Sequence, residues 1–143
     1  MSSRELSVEL LDAVSVEPSD IQDEFARCPA DIAFWATRYA KAIKDAALAK
    51  AERERLFGSL LTDQELIASL ELRIGKRPSI DQLKGEIENV AEYRSARSSE
   101  IDADCERVRL RGVFEAILAK RDCLVSLGAA LRAELRSDPQ INK

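Results

Sequence analysis

Residues 29–73 read PADIAFWATRYAKAIKDAALAKAERERLFGSLLTDQELIASLELR. After Pro29 the stretch has no further proline and one glycine, Gly58. Ile32, Trp35, Tyr39, Ala42, Ala46, Ala49, Arg53, Leu56, Leu60, Asp63, Ile67 and Leu70 recur at alternating steps of three and four. That spacing keeps one stripe of an α-helix facing one way. The stripe opens on aromatics, narrows to alanines and is interrupted by Arg53 and Asp63. It predicts a single helix over Pro29–Arg73, roughly 65 Å long at ~1.5 Å per residue. So long a helix in a chain of 143 residues needs a partner to cover its apolar side.

The partner lies downstream. Arg73-Ile74-Gly75-Lys76-Arg77-Pro78 joins a glycine suited to a helix C-terminus to a proline that disfavours helix at Arg77. Ser79 with Gln82 forms a capping box, predicting a short helix over Ile80–Glu88. Asn89 and Glu92 repeat that signature, so a break is expected near Asn89-Val90. A second long run, Val90–Arg136, follows and ends at Ser137-Asp138-Pro139. Its seam comprises Leu110, Phe114, Ile117, Arg121, Leu124, Gly128, Leu131 and Leu135. Two runs of similar length joined by a compact turn predict an all-α fold, an antiparallel hairpin of two long helices. One register sets Ala46 opposite Ala119, Ala49 opposite Ala116 and Arg53 beside Gly112, so that small residues face small ones.

Upstream, Leu6, Leu10, Leu11 and Val14 mark a short amphipathic helix. Pro18 and Ser19-Asp20 mark a restart carrying Ile21 and Phe25. The expected layout is an acidic arm with short helices over 1–28, a hairpin and oligomerisation domain over 29–136, and a tail over 137–143. Val108, Val113, Leu118, Val125 and Leu127 add apolar groups outside the hairpin seam, which predicts self-association. Val113, Ile117, Leu124, Leu127, Leu131 and Leu135 are the expected interface of a homo-oligomer.

Composition restricts function. The chain is 34% charged and 5% aromatic, as long helices require. It contains no histidine, so histidine-based triads and metal sites are excluded. Gly75-Lys76 lacks the rest of a phosphate-binding loop. Glu86 and Glu88 point to different sides of a helix, as do Asp102, Asp104 and Glu106. No enzyme, cofactor or metal is expected. Cys28, Cys105 and Cys123 have no metal-ligand spacing and read as small buried apolar residues in a reducing cytosol. No run approaches the ~18 apolar residues of a membrane span, and no secretory leader is expected at Met1-Ser2-Ser3-Arg4-Glu5.

The formal net charge is −4, and it is unevenly distributed. Eight acids and two bases fall within residues 1–31, leaving the remainder slightly basic. Three basic groups stand out: Lys50, Arg53 and Arg55; Arg73, Lys76 and Arg77; Arg107, Arg109 and Arg111. The register brings the first and third together, a stripe able to follow a phosphate backbone. The competing reading is that these charges solvate a helical hairpin beside Glu52, Glu54 and Glu106. Under that reading the chain is a coiled-coil structural or adaptor protein with a protein partner and no DNA.

Phe34-Trp35 opening an alanine- and charge-rich helix, the Leu72-Arg73-Ile74-Gly75-Lys76-Arg77-Pro78 turn, and Ile87 to Tyr93 form the first part of a wider pattern. Arg109-Leu110-Arg111-Gly112-Val113-Phe114-Glu115-Ala116-Ile117 and the stretch from Lys120 to Arg132 form the second. Over roughly residues 25–136 this order resembles the UvsY-type recombination mediators of bacteriophages. The resemblance implies a ring-like homo-oligomer in the host cytoplasm that binds single-stranded DNA. It would help displace the single-strand-binding protein and load a phage RecA-like recombinase, without hydrolysing nucleotide. The family's Lys-x-Arg DNA contact falls on Arg53-Glu54-Arg55 or on Glu71-Leu72-Arg73 of this chain, implicating Arg53, Arg55 and Arg73.

Overall fold

The computed structural model describes residues 13–15 and 21–137, in which every regular element is helical. Four helices are complete among them: α1 (Ile21–Leu61), α2 (Gln64–Ile74), α3 (Ile80–Ile87) and α4 (Ala91–Ser137). The chain is therefore all-α. The amphipathic segment ahead of Ala13, the restart at Pro18 to Asp20, and the tail beyond Ser137 lie outside the described residues. No described helix is long and apolar enough to cross a membrane.

The predicted single helix is two. It starts eight residues early, at Ile21, and runs through Pro29. Proline inside a helix removes one backbone hydrogen bond and costs about 3 kcal/mol. The turns around Pro29 tolerate it because Glu24, Cys28 and Trp35 are all buried, so tertiary contacts hold the segment. The boundary expected between residues 28 and 29 thus falls inside a continuous helix.

At the other end, α1 stops at Leu61. Asp63 adopts an extended conformation (φ −70°, ψ 111°) and its carboxylate accepts from the backbone N–H groups of Glu65 and Leu66, at 2.9 and 3.3 Å. The polar interruption in the seam is an N-cap, worth about 1 kcal/mol. Helix α2 ends at Gly75, whose left-handed φ of 75° lets its N–H reach the Glu71 carbonyl at 2.8 Å. A side chain there would be strained. Ser79 and Gln82 form the expected reciprocal capping box. Asn89 does not cap α4; its side-chain amide donates to the Gly85 carbonyl at 3.2 Å.

The described residues form two compact units: those up to Ala40 together with those from Arg109 onward, and Lys41–Val108. In the second, Leu60, Leu70, Leu83, Ile87 and Tyr93 make a core flanked by Leu56, Phe57, Ile67 and Ile74. Four of the expected seam positions meet here because α2 and α3 fold over the end of α1. Arg53 reaches Glu100, twelve residues from the expected Gly112, and nothing lies within 4 Å of where a Gly112 side chain would begin. Arg53 and Glu100 are equally distant along the chain from Lys76-Arg77, so the Gly75–Pro78 turn sets their pairing.

In the other unit Tyr39 stacks on Phe114 at 6.1 Å, and the Phe25 ring edge lies 3.2 Å from where a Gly128 side chain would begin. Cys28, Trp35, Leu110, Val113, Ile117 and Leu124 are its buried apolar residues. Cys105 and Cys123 are exposed, and only Cys28 is buried as expected; the other two sit on outer faces of α4. Among the apolar residues, Glu24 and Lys120 are also buried. Lys120 Nζ donates to Glu24 Oε2 at 2.6 Å and to the Ala13 carbonyl at 2.8 Å, while Arg27 meets the other Glu24 oxygen at 2.6 Å. Removing one member of a buried pair strands the other charge. Lys120→Met should therefore lower stability by about 3 kcal/mol, and adding Glu24→Gln should recover much of that loss, as read from urea unfolding curves.

Candidate nucleic-acid interface

The nine candidate DNA-contacting residues occupy α1, the α2–α3 turn and α4. Lys50 is exposed on α1. Three residues on, the Arg53 side chain is largely withdrawn from solvent, 22% exposed. Its guanidinium donates to Glu100 and reaches the Tyr93 hydroxyl at 3.5 Å. These bonds, Glu100 first, hold its pKa above the ordinary arginine value. Tyr93 belongs to the core, so Arg53 ties α1 to α4 from the edge of that core. Arg55 lies on another face of α1 and pairs with Glu52 at 2.7 Å. The hydrogen bond raises the Arg55 pKa and lowers that of Glu52.

At the turn, Arg73 pairs with Glu86 at 2.5 Å, linking α2 to α3. Lys76 and Arg77 are exposed and carry no ion pair among the described residues. On α4, Arg107 pairs with Asp104 at 2.7 Å. Arg111 pairs with Glu115 at 2.8 Å, a bond that raises its pKa. Arg109 is exposed but engaged.

Of the first and third groups, Lys50 and Arg107 alone are brought together, within Lys41–Val108. Lys50 and Arg107 line one groove of about 250 Å³, with Ile43, Ala46, Ala47, Glu100 and Asp104. The alanines supply the space, since their short side chains leave room between α1 and α4. The groove's two carboxylates are already committed, Glu100 to Arg53 and Asp104 to Arg107. Arg109 and Arg111 belong to the other unit.

Magnitudes separate these arginines. Exposed pairs contribute about 0–1 kcal/mol, so Arg55, Arg73 and Arg111, with side chains 58–67% exposed, can exchange a carboxylate for a phosphate at little cost. Arg53 cannot, because leaving Glu100 half-buried and Tyr93 unpaired opposes it. The pairing of Arg53 with Glu100 had no signal in the sequence: forty-seven residues separate them. Among the described residues no three histidine, cysteine or acidic side chains converge as a metal site.

Of the expected interface residues, Val113, Ile117 and Leu124 are between 0 and 7% exposed. They are core of their own chain, because the α4 face that carries them is the one α1 covers. Leu127, Leu131 and Leu135 remain 41, 42 and 62% exposed. No protein-family model, curated protein or solved structure matches the chain.

Arg53→Ala should lower stability by about 1–3 kcal/mol through the lost bonds to Glu100 and Tyr93. Arg55→Ala should leave it unchanged within the precision of the measurement, because its pair with Glu52 is screened by solvent. Thermal unfolding of the two variants beside the parent tests the distinction.

Proposed function

We propose that the chain is a non-enzymatic recombination mediator of the UvsY type: an antiparallel helical hairpin that self-associates, as a ring, and binds single-stranded DNA. In this role it displaces a single-strand-binding protein and loads a phage RecA-like recombinase in the host cytoplasm. The carrying observation is the groove in which Lys50 and Arg107 meet over a floor of alanines. Its two cations lie on a concave surface, as phosphate tracking requires. Arg55, Arg73, Arg109 and Arg111 are exposed positions from which further phosphates are within the chemistry of a guanidinium. Arg53 supports the groove by fixing Glu100.

Self-association draws support from Leu127, Leu131 and Leu135, exposed at four-residue steps on one face of the C-terminal part of α4. An apolar helix face of that length is ordinarily covered by another chain. The coiled-coil adaptor reading draws on the pairing of most arginines with acids of the same chain, and DNA binding separates the two.

Fluorescence anisotropy with a labelled single strand decides between them. Affinity should fall steeply with added salt for any base sequence. Lys50→Ala with Arg55→Ala and Arg111→Ala should reduce the slope of log affinity against log salt by about 2, from three lost phosphate contacts at ~0.7 each. Absent or salt-insensitive binding refutes the DNA reading and leaves the adaptor.

A further inference from the structure

The α2–α3 turn presents more than cations. Leu72 is 88% exposed and Ile80 69%, the highest values among the exposed large apolar side chains described. The exposure of both follows from their positions in the sequence. Leu72 sits two residues, or about 200° around the helix, from the buried Leu70, so it points away from the core that Leu66, Ile67, Leu70 and Ile74 build. Ile80 opens α3 directly after its Ser79 cap. Between them stand Gly75 in its left-handed conformation and the exposed, unpaired Lys76 and Arg77. The ion pair of Arg73 with Glu86 holds the two sides of the turn together.

Two outward aliphatic side chains bracketing two cations suit a peptide better than a nucleic-acid strand. No aromatic residue lies between Leu72 and Ile80, so bases have no stacking platform there. Aliphatic anchors at a surface are instead covered by protein. The partner that fits carries alternating apolar and acidic residues. One such segment belongs to this chain: residues 1–12, MSSRELSVELLD, hold Leu6, Leu10 and Leu11 beside Glu5, Glu9 and Asp12, against the single base Arg4. The segment leads into Ala13, whose carbonyl is gripped by buried Lys120, so its point of departure is fixed.

We propose that the Leu72–Ile80 turn is the docking site for the acidic segment Met1–Asp12 of a second copy. Leucines of the segment cover Leu72 and Ile80, and its carboxylates pair with Lys76 and Arg77. Because the segment and the turn are different surfaces, the contact is heterologous and joins copies head to tail. The contact is one between proteins and stands or falls without DNA.

Full-length chain of natural isotopic composition and full-length chain labelled with 15N are mixed unfolded, refolded together and treated with a carbodiimide. The reagent condenses a carboxylate with an amine already in contact, leaving as its urea. An amide between Lys76 and Glu5, Glu9 or Asp12, joining one light and one heavy peptide, is expected. Leu72→Ser with Ile80→Ser should reduce its yield about tenfold or more without changing the thermal midpoint, since neither side chain is in the core. Absence of the amide overturns the proposal. So does an amide joining only peptides of like isotope, which assigns the contact to the chain's own segment, or an undiminished yield in the double variant. Failure of single-stranded DNA binding leaves this result untouched.

Discussion

The carboxylate of Asp63 decides the shape of the central part of this chain. By accepting from the Glu65 and Leu66 amides it supplies partners for N–H groups that a new helix leaves unmatched. It thereby makes a break at Thr62-Asp63 favourable in a stretch whose heptad spacing would otherwise continue. Without the break α2 would extend the rod; with it, Leu66, Ile67, Leu70 and Ile74 swing onto Leu60, Leu83 and Ile87. Gly75 then ends α2 after eleven residues, and the Gly75–Pro78 turn becomes the point from which the pairing of Arg53 with Glu100 is measured.

The same local economy sorts the charges. Arginines one helical turn from an acid on an exposed face, such as Arg55 with Glu52 and Arg107 with Asp104, are loosely held because solvent screens both partners. The charges buried deeper work differently. Arg53 joins a carboxylate and a phenol at the edge of one core, and Lys120 joins Glu24 to the Ala13 carbonyl inside the other. Their partners sit far away in sequence, and breaking them leaves polar groups stranded. Scaffold and binding surface are thus made from the same residue types, distinguished by depth.

That distinction explains how much of the candidate interface was legible. Nine basic positions stand out in the sequence, but the convergence of Lys50 with Arg107 depends on the observed register, since the expected one sets Lys50 near Glu115. What the pairing costs or frees at each arginine depends on burial, which periodicity does not report. The register erred by twelve residues because alanine-rich helices match one another almost equally well at several offsets, and the turn's centre, not side-chain size, selects among them.

The sequence by itself determined the helical class, the capping box at Ser79, the stop at Gly75 and the seam residues Leu56, Leu60, Ile67 and Leu70, because these follow from spacing and backbone preference within a few turns. Only the tertiary structure decided that α1 passes through Pro29, that Asp63 is a cap, that Val113, Ile117 and Leu124 are interior, and that Arg53 is a strut. Apart from the Asp63 cap, whose hydrogen bonds are local, each of those depends on a surface brought from elsewhere in the chain, whose burial outweighs the local preference.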